Sequence, residues 1–297
     1  MNDLIWTMNY WGRKLGFGSY LTRMGMRQFT KRVLRRDLRI ELPNRRWVTL
    51  PKWSGFASVV WVTRGQAEDG CEEVMECFGD SAQMFCDIGA HFGYWGVRLA
   101  HCSGSILAVE PNPLCELALR DNLASVSGAC VAMCALSDQN SSLRFFAAES
   151  SPYSRLLGPD EALPERAGKI IHVPVRTLDE VWREQGSPPC WGIKVDTEGH
   201  EAAVFAGARE LIAQCRPVVL VETKPEAFRC YERQFAAAGY TAGWLSQRVR
   251  GERQRLHRGD VGSVAQGLPE EMLFLFPAWA RKHPGWTRLS QLFKVTP

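Results

Sequence analysis

The segment CDIGAHFGYWG, residues 86–96, combines an acid and glycines at a spacing that suits ligand binding. It follows an apolar run and precedes a helical pattern, which places Asp87, Gly89 and Gly93 at the carboxyl end of a buried strand. Ligands of open parallel sheets bind at that edge, and glycines there let the backbone approach them. The spacing differs from the dinucleotide pattern Gly-x-Gly-x-x-Gly because residue 91 is His. We therefore expect a ligand that needs no cradle for a pyrophosphate.

A second acid follows the next apolar run. Glu110, in the sequence VEPNP, comes 23 residues after Asp87, one β-α-β step further along the chain. An acid at the end of the second strand can accept hydrogen bonds from both hydroxyls of a ribose. S-adenosylmethionine presents such a ribose together with a sulfonium and an ammonium group, so the two acids favour this cofactor. Tyr94 and Asn112, in the same two loops, are further predicted contacts.

The sequence ALSD, residues 135–138, follows the third apolar run. At the end of a third strand, Asp138 or the backbone around Ser137 could accept a hydrogen bond from the amino group of adenine. A simple turn explains the same four residues equally well, so both interpretations stay open.

The sequence KVDTEGHE, residues 194–201, gathers acids and a histidine after the fourth apolar run. Asp196 falls at the predicted strand end, and His200 would share a helical face with it if a helix begins there. Glu222 ends the next run, VVLVE, beside that strand. These three residues are the candidates to orient and deprotonate an acceptor, and His200 has an ordinary pKa of about 6.5. Helix capping by Asp196 or Thr197, or a metal site, would also explain the acids.

The elements that position these residues alternate from about residue 70 onward. Apolar runs of strand length are separated by helical stretches at 93–101, 113–125 and 200–215, which indicates an α/β fold with a mostly parallel sheet covered by helices on both faces. After residue 225 we expect a helix (225–238), a strand (240–245), a mobile basic loop (246–268) and a last strand, so the sheet ends in an antiparallel hairpin. The apolar runs are Met84–Ile88, Ser105–Val109, Ala129–Cys134, Gly192–Val195, Pro217–Val221 and Met272–Phe276.

The chain divides into an N-terminal arm with lead-in strands (1–69), a cofactor-binding domain (70–278) and a C-terminal tail (279–297). Residues 1–40 carry nine Lys or Arg against two Asp, a net charge of +7, so the other residues sum to −3 of the total +4. Helices are predicted around 4–15 and 20–37. Two apolar runs within 47–62, at Trp47–Leu50 and at Val59–Val62, are predicted as strands or an extended lead-in. The arm either packs with a solvated basic face or attaches to an anionic membrane surface or a phosphorylated carrier.

The composition fits an ordinary globular protein. The 297 residues are 45% apolar and 23% charged, which excludes a disordered, collagen-like or coiled-coil chain. Ten cysteines without a Cys-x-x-Cys pair are interpreted as small buried residues in a reducing compartment. No apolar run approaches the ~18–20 residues of a membrane span. A cytoplasmic protein is expected, with peripheral membrane contact left open, and the small net charge makes nucleic acid an improbable partner.

The motifs together resemble the FkbM-type S-adenosylmethionine-dependent methyltransferases. CDIGAHFGYWG, VEPNP, ALSD, RTLDEV, IKVDTEGHEAAVFAGA and RPVVLVE occur in the order of that family, over about residues 80–225. The resemblance implies a class I methyltransferase fold of Rossmann-like type and methylation of a hydroxyl on a saccharide or natural product. A nucleic-acid methyltransferase is the nearest rival, but amino methylation of bases usually uses an Asn/Asp-Pro-Pro-aromatic sequence where this chain has DTEG. A non-catalytic adaptor that binds a membrane or a partner is the alternative from another class.

Overall fold

A nine-stranded sheet forms the centre of the computed structural model, which describes residues 10–12, 14–148, 154–158, 161, 167–246, 252–264 and 271–296. Its strand order is β15-β13-β12-β14-β11-β10-β3-β4-β5. The five strands from β11 to β5 are parallel, while β14 runs antiparallel to both of its neighbours. The strands of this sheet are β3 (Asp80–Ile88), β4 (Ser103–Val109), β5 (Ala129–Ala132), β10 (Cys190–Val195), β11 (Val218–Thr223), β12 (Thr241–Leu245), β13 (Arg255–Asp260), β14 (Glu271–Phe276) and β15 (Lys294–Val295).

Helices cover both faces of this sheet, as the alternating pattern predicted. One face packs on α3, α4 and α5, and the other on α6 to α10. Along β3, Phe85 belongs to the first core and Cys86 to the second, because successive side chains of a strand point to opposite faces. The helices are α1 (Phe17–Phe29), α2 (Phe56–Thr63), α3 (Cys71–Glu76), α4 (Tyr94–Leu99), α5 (Pro113–Leu123), α6 (Leu178–Glu184), α7 (Glu201–Ala206), α8 (Arg209–Cys215), α9 (Pro225–Phe228), α10 (Glu232–Ala237), α11 (Val261–Val264) and α12 (Pro284–Leu292).

The lead-in region forms one hairpin and one helix instead of strands throughout. β1 (Leu38–Glu41) and β2 (Trp47–Leu50) pair antiparallel. The second predicted strand is wrong, because Val59–Val62 lies in α2. This helix is buried on most sides, so its apolar run has no helical period in the sequence. Its first turn is fixed by Ser54, whose Oγ accepts a hydrogen bond of 2.9 Å from the Ala57 amide.

The N-terminal arm is packed against the domain through α1. The buried Arg27 guanidinium donates to the carbonyl oxygens of Leu50 and Pro51, at 3.4 and 2.7 Å, and to Ser58 Oγ at 3.3 Å. The predicted helix over 20–37 begins at Phe17 and closes with a π-helical turn at Thr30–Leu34. Of the predicted helix 4–15, residues 10–12 and 14–15 are helical, and residues 1–9 lie outside the described part.

The C-terminal part of the sheet is larger than predicted. Within the predicted loop 246–268, residues 255–260 form β13, which pairs antiparallel with β12, so the loop prediction is wrong there. Leu256 is fully buried, and the His257 ring stacks on Trp244 at 5.3 Å, which the basic composition of this stretch concealed. Residues 247–251 and 265–270 of that loop lie outside the described part. The segment expected as a tail folds into α12 and β15.

A small second sheet replaces the end of the predicted third strand. β5 ends at Ala132, and four further strands form a sheet in the order β6-β9-β7-β8. The predicted helix 200–215 is likewise divided into α7 and α8, because Gly207 passes so close to Ser137 that an added Cβ would lie 2.0 Å from its carbonyl oxygen. The strands of the small sheet are β6 (Ala135–Leu136), β7 (Ser141–Ala148), β8 (Arg155–Leu156) and β9 (Gly168–Arg176). In the part of the chain that the structure describes, no helix is long and apolar enough to cross a bilayer.

Candidate active site

A cavity of about 680 Å³ opens where the parallel strands end. Its floor is formed by residues that directly follow or end β3, β4, β10 and β11, which is the ligand-binding edge of such sheets. Its volume falls in the usual range for small-molecule sites. The arm, α2 and the small sheet form its other walls. The cavity wall includes Tyr10, Trp11, Phe56, Glu68, Gly89, His91, Tyr94, Glu110, Phe145, Lys194, Asp196, Glu198, His200 and Glu222.

Glu110 is held rigidly on the cavity wall. Its Oε2 accepts a hydrogen bond of 2.8 Å from the His91 amide, and its Oε1 accepts one of 2.8 Å from the Asn112 amide. Each carboxylate oxygen keeps a second acceptor site, so both can still bind a hydroxyl. Burial raises the pKa of Glu110 to about 7, although the two amides favour its charged form. The geometry therefore suits a pair of ribose hydroxyls.

The pKa of Glu110 leads to a pH dependence of cofactor affinity. Binding of hydroxyl donors needs the carboxylate, so below pH 7 a proton must first leave Glu110. We expect the dissociation constant of S-adenosylhomocysteine to rise by up to about tenfold per pH unit below 7. Glu110→Gln should remove this dependence and weaken binding at pH 8 by about 1–3 kcal/mol.

Calorimetric titrations between about pH 5.5 and 8 measure this pH dependence directly, because the interval includes the pKa of Glu110. Glu116→Gln is the matched control, since Glu116 lies on the exposed surface of α5 and pairs with Arg120. A Glu110→Gln variant that keeps the wild-type affinity and pH dependence would remove Glu110 from the cofactor site.

Gly89 allows the loop after β3 to pass the loop after β10. Its φ is +75°, and a Cβ at this position would lie 1.9 Å from the carbonyl oxygen of Asp196. Gly93, with φ +84°, immediately precedes α4, and a Cβ there would meet Leu119 at 2.9 Å. Glycine is therefore required at both predicted positions, because a side chain would collide with neighbouring atoms and because the backbone has a positive φ. They bring the acids of β4 and β10 to one cavity.

Asp87 lies beneath the cavity and not on its surface. Its Oδ2 accepts a hydrogen bond of 3.2 Å from the Gly96 amide, which fixes α4 to β3. Its Oδ1 is buried and has no hydrogen-bond partner within the described residues. Burial raises the pKa of Asp87 to about 6, opposed by the Lys194 ammonium. Asp87 therefore adds negative charge below the cofactor region.

Of three other predicted cofactor contacts, two side chains already form hydrogen bonds within the protein and the third is exposed. Tyr94 lines the cavity, but its hydroxyl donates to Glu72 at 2.6 Å and also bonds the Gly65 carbonyl at 2.9 Å. Asn112 caps α5 by accepting from the Leu114 amide, and its Nδ2 donates to Ser154. Asp138 is exposed, and the cavity wall there is formed by residues 134–136 instead. A contact of these three side chains with the cofactor stays a prediction.

Asp196 and Glu222 form a carboxyl pair on the predicted acceptor side. The Lys194 ammonium lies 2.9 Å from Asp196 Oδ2, and the two carboxyl groups hydrogen-bond each other. Burial alone would raise the pKa of Asp196, but Lys194 and the bond from Glu222 hold it below its usual range. The Asp196 charge, together with burial, raises the pKa of Glu222 far above its usual range. At neutral pH the pair therefore carries one proton, on Glu222.

His200 lines the cavity without sharing a helical face with Asp196. α7 begins only at Glu201, so residues 196–200 form a loop. His200 Nε2 lies 3.0 Å from Ser137 Oγ, and burial lowers its pKa, which keeps the ring neutral at pH 7. Glu201 accepts hydrogen bonds from the Thr197 and Gly199 amides and stabilises this loop. Glu201 is therefore a structural residue.

Two titratable residues of the cavity, Lys194 and Glu68, were not predicted from the sequence. Lys194 is buried, and the carboxylates of Asp196 and Asp87 raise its pKa above the usual range despite burial. A lysine within the apolar run of β10 was a signal for it. Glu68 also lines the cavity, and burial together with Glu72 raises its pKa to about 8. No local motif marked Glu68, because it lies in the turn between α2 and α3 and follows no apolar strand.

The arm packs against the domain and forms a wall of the cavity. Tyr10 and Trp11 line it, and the Tyr10 hydroxyl donates to Asp69 at 2.5 Å. Lys14 forms a salt bridge with Asp69, and its ammonium lies 4.6 Å from the centre of the Trp11 ring. The prediction of a solvated basic face is therefore wrong for Lys14, whose side chain is 6% exposed.

The residues of the cavity fit S-adenosylmethionine. Acids predominate along its walls, and the buried Asp87 Oδ1 lacks a partner among the described residues. Such a site favours a ligand with fixed positive charge and neutral hydroxyls, and it disfavours a phosphate. In the part of the chain that the structure describes, no group of three His, Cys, Asp or Glu side chains could hold a metal ion.

A known sequence family matches the central part of this chain. A sequence model described as the Methyltransferase FkbM domain matches residues 87–247, and no curated protein matches the chain. The solved structure of methyltransferase FkbM from Methylobacillus flagellatus KT is 16% identical, with a TM-score of 0.44, and the alignment covers 66% of this chain and 44% of that one. The chain thus spans less than half the length of that protein.

Two further solved structures are similar at lower identity. An rRNA methylase from Streptococcus thermophilus is 10% identical over 69% of this chain and 92% of its own, with a TM-score of 0.40. An O-methyltransferase from Bacillus cereus in complex with SAH is 11% identical over 72% and 79%, with a TM-score of 0.39. The FkbM domain match covers more than half of the 297 residues, and the chain therefore belongs to the FkbM family of S-adenosylmethionine-dependent methyltransferases.

Proposed function

We propose that this methyltransferase acts on a hydroxyl oxygen of a small-molecule or saccharide acceptor. The observation that carries the proposal is the carboxyl pair of Asp196 and Glu222, with the Lys194 ammonium 2.9 Å from Asp196 Oδ2, in the cavity that also contains Glu110. A hydroxyl must lose a proton during methyl transfer, and a positioned carboxylate can accept it. The side chain of Asp196 is 25% exposed to the cavity, so an acceptor can reach it.

The chain's own residues divide the cavity into two functions. Glu110 would hold the ribose hydroxyls of the cofactor, while the buried Asp87 supplies negative charge for its cationic groups. When bound, S-adenosylmethionine supplies a methyl group on a sulfonium, which is already a good leaving group. The protein therefore has to position the acceptor and remove one proton.

Asp196 is the residue that we assign to the proton. Lys194 keeps it ionised, and the protonated Glu222 donates a hydrogen bond that fixes its orientation. An acceptor hydroxyl beside Asp196 would donate its proton to this carboxylate as the methyl–oxygen bond forms and the methyl–sulfur bond breaks. The neutral His200 ring is hydrogen-bonded to Ser137, and we assign it to the wall of the acceptor region. Aromatic side chains of Tyr10, Trp11 and Phe56 offer flat surfaces for a sugar ring or another apolar group.

Nucleic acid is a poor alternative acceptor for this cavity. The acids on its walls disfavour a phosphate backbone. The residues after β10 read DTEG, without the two prolines and aromatic residue that usually accompany methylation of base amino groups. The binding of a neutral hydroxyl compound agrees better with both features.

Product analysis tests the proposal. The protein is incubated with methyl-labelled S-adenosylmethionine and panels of saccharides, phenolic natural products, amines and short RNA, and each labelled product is examined by mass spectrometry and NMR. We expect the label on an oxygen, and no labelling of the matched deoxy compound. Label on nitrogen or on RNA bases would contradict the assignment.

A further inference from the structure

α1 and the turn that follows it present apolar side chains that the other described residues leave about half exposed or more. Phe17, Leu21 and Phe29 lie in α1, and Val33 lies in the π-helical turn that follows it. Phe29 is 54% and Val33 63% exposed. Gly25 lies between Leu21 and Phe29 in the helix, and no atom lies within 4 Å of where its Cβ would be. We refer to Phe17, Leu21, Phe29 and Val33 as the α1 apolar face.

This exposure is concentrated in the N-terminal region of the chain. Seven of the eleven exposed large apolar side chains in the described residues lie between residues 17 and 47, which marks one surface for a partner. They are Phe17, Leu21, Met26, Phe29, Val33, Leu34 and Trp47.

The opposite face of α1 is firmly attached to the domain. Tyr20 and Arg27 are buried, and Arg27 donates to backbone carbonyls at the end of β2. The Trp61 indole donates to the Arg23 carbonyl at 2.8 Å, and Arg23 in turn donates to the Val62 carbonyl at 2.6 Å. The helix is therefore held with its apolar face directed outward.

Exposed cations border the α1 apolar face at its C-terminal end. Arg32, Arg35, Arg36 and Arg39 are exposed, and the one acid among residues 31–39, Asp37, accepts a hydrogen bond from the Lys52 amide. The Arg39 guanidinium also lies 5.6 Å from the ring of the exposed Trp47. Tryptophan and arginine side by side are typical of surfaces that contact the headgroup level of a membrane.

We propose that the α1 apolar face and these arginines bind the surface of an anionic lipid bilayer. Apolar side chains on one side of a helix enter the boundary of headgroups and acyl chains, and neighbouring cations bind anionic headgroups. A bilayer of neutral lipids would not attract the exposed arginines, whereas anionic headgroups would, so the proposal specifies anionic lipid. Tyr10 and Trp11, which line the cavity, lie shortly before α1 in the chain. Bound to a bilayer, the enzyme meets acceptors that are themselves attached to the membrane.

Vesicle co-sedimentation of the full chain tests the proposal. We expect binding to vesicles of phosphatidylcholine mixed with phosphatidylglycerol, weak binding to phosphatidylcholine alone, and a steep loss of binding with added salt. The double variant Leu21→Gln/Phe29→Gln should reduce binding by about tenfold or more, as should Arg35→Gln/Arg36→Gln.

Leu117→Gln is the matched control, because Leu117 is 74% exposed on a different helix, α5. Its vesicle binding should equal that of the wild type. Melting temperature and S-adenosylhomocysteine affinity show that each variant is folded. The proposal is overturned if the wild type does not bind anionic vesicles, or if the double apolar variant binds them equally well. A wild-type dimer that becomes a monomer in that variant, without vesicle binding, would assign the face to a second copy of the chain.

Discussion

Asp196→Asn is expected to lower kcat for methyl transfer by a factor of about 10²–10⁴, the usual contribution of a positioned general base. The amide keeps the shape of the side chain but cannot accept the acceptor proton. Glu222→Gln should keep kcat within about tenfold of the wild type, because Glu222 is already protonated and the Gln amide can donate in its place. Steady-state kinetics with the acceptor identified by product analysis measure both values.

The affinity for S-adenosylhomocysteine should change little in either variant, which separates lost chemistry from lost folding. An active Asp196→Asn enzyme together with an inactive Glu222→Gln enzyme would assign the general base to Glu222 instead. A kcat that rises with pH near or below 6.5 and loses this step in His200→Ala would instead assign the base to His200.

Gly89→Ala is expected to abolish detectable binding of S-adenosylhomocysteine and to destabilise the fold by at least about 3 kcal/mol. The added Cβ would lie 1.9 Å from the Asp196 carbonyl oxygen, and backbone atoms at that distance must move apart. The movement separates the loop after β3, whose His91 amide bonds Glu110, from the loop that carries Asp196. Urea unfolding and calorimetry measure the two effects.

Gly239→Ala provides the matched control for this substitution. Gly239 has nearly the same φ, +76° against +75° for Gly89, but no atom lies within 4 Å of its added Cβ. It should cost only the strain of left-handed backbone, about 1–2 kcal/mol, and leave ligand affinity intact. Equal effects of the two substitutions would show that the close approach at Gly89 is unimportant.

The positions of Glu110 and Asp196 could be predicted because each follows a continuous apolar run. In a parallel sheet such runs end at one edge, so acids far apart in the sequence come together there. The same reasoning explains why the α/β class was predicted correctly. It also placed Asp87 at the strand end, but could not tell that its carboxylate lies beneath the cavity.

The errors of prediction occur where tertiary contacts decide the local structure. Val59–Val62 reads as a strand because α2 is buried on most sides and therefore has no polar face. β13 was missed because its basic residues conceal the buried Leu256. The partners of Lys14 and Glu68 come from distant parts of the chain, so no local pattern could show that both belong to the walls of one site.

A crystal structure with S-adenosylhomocysteine bound tests the central claim most directly. We predict that the ribose hydroxyls donate to both carboxylate oxygens of Glu110, and that the sulfur faces Asp196 across the acceptor part of the cavity. A ligand bound with its ribose away from Glu110, or with its sulfur remote from Asp196, would contradict the account.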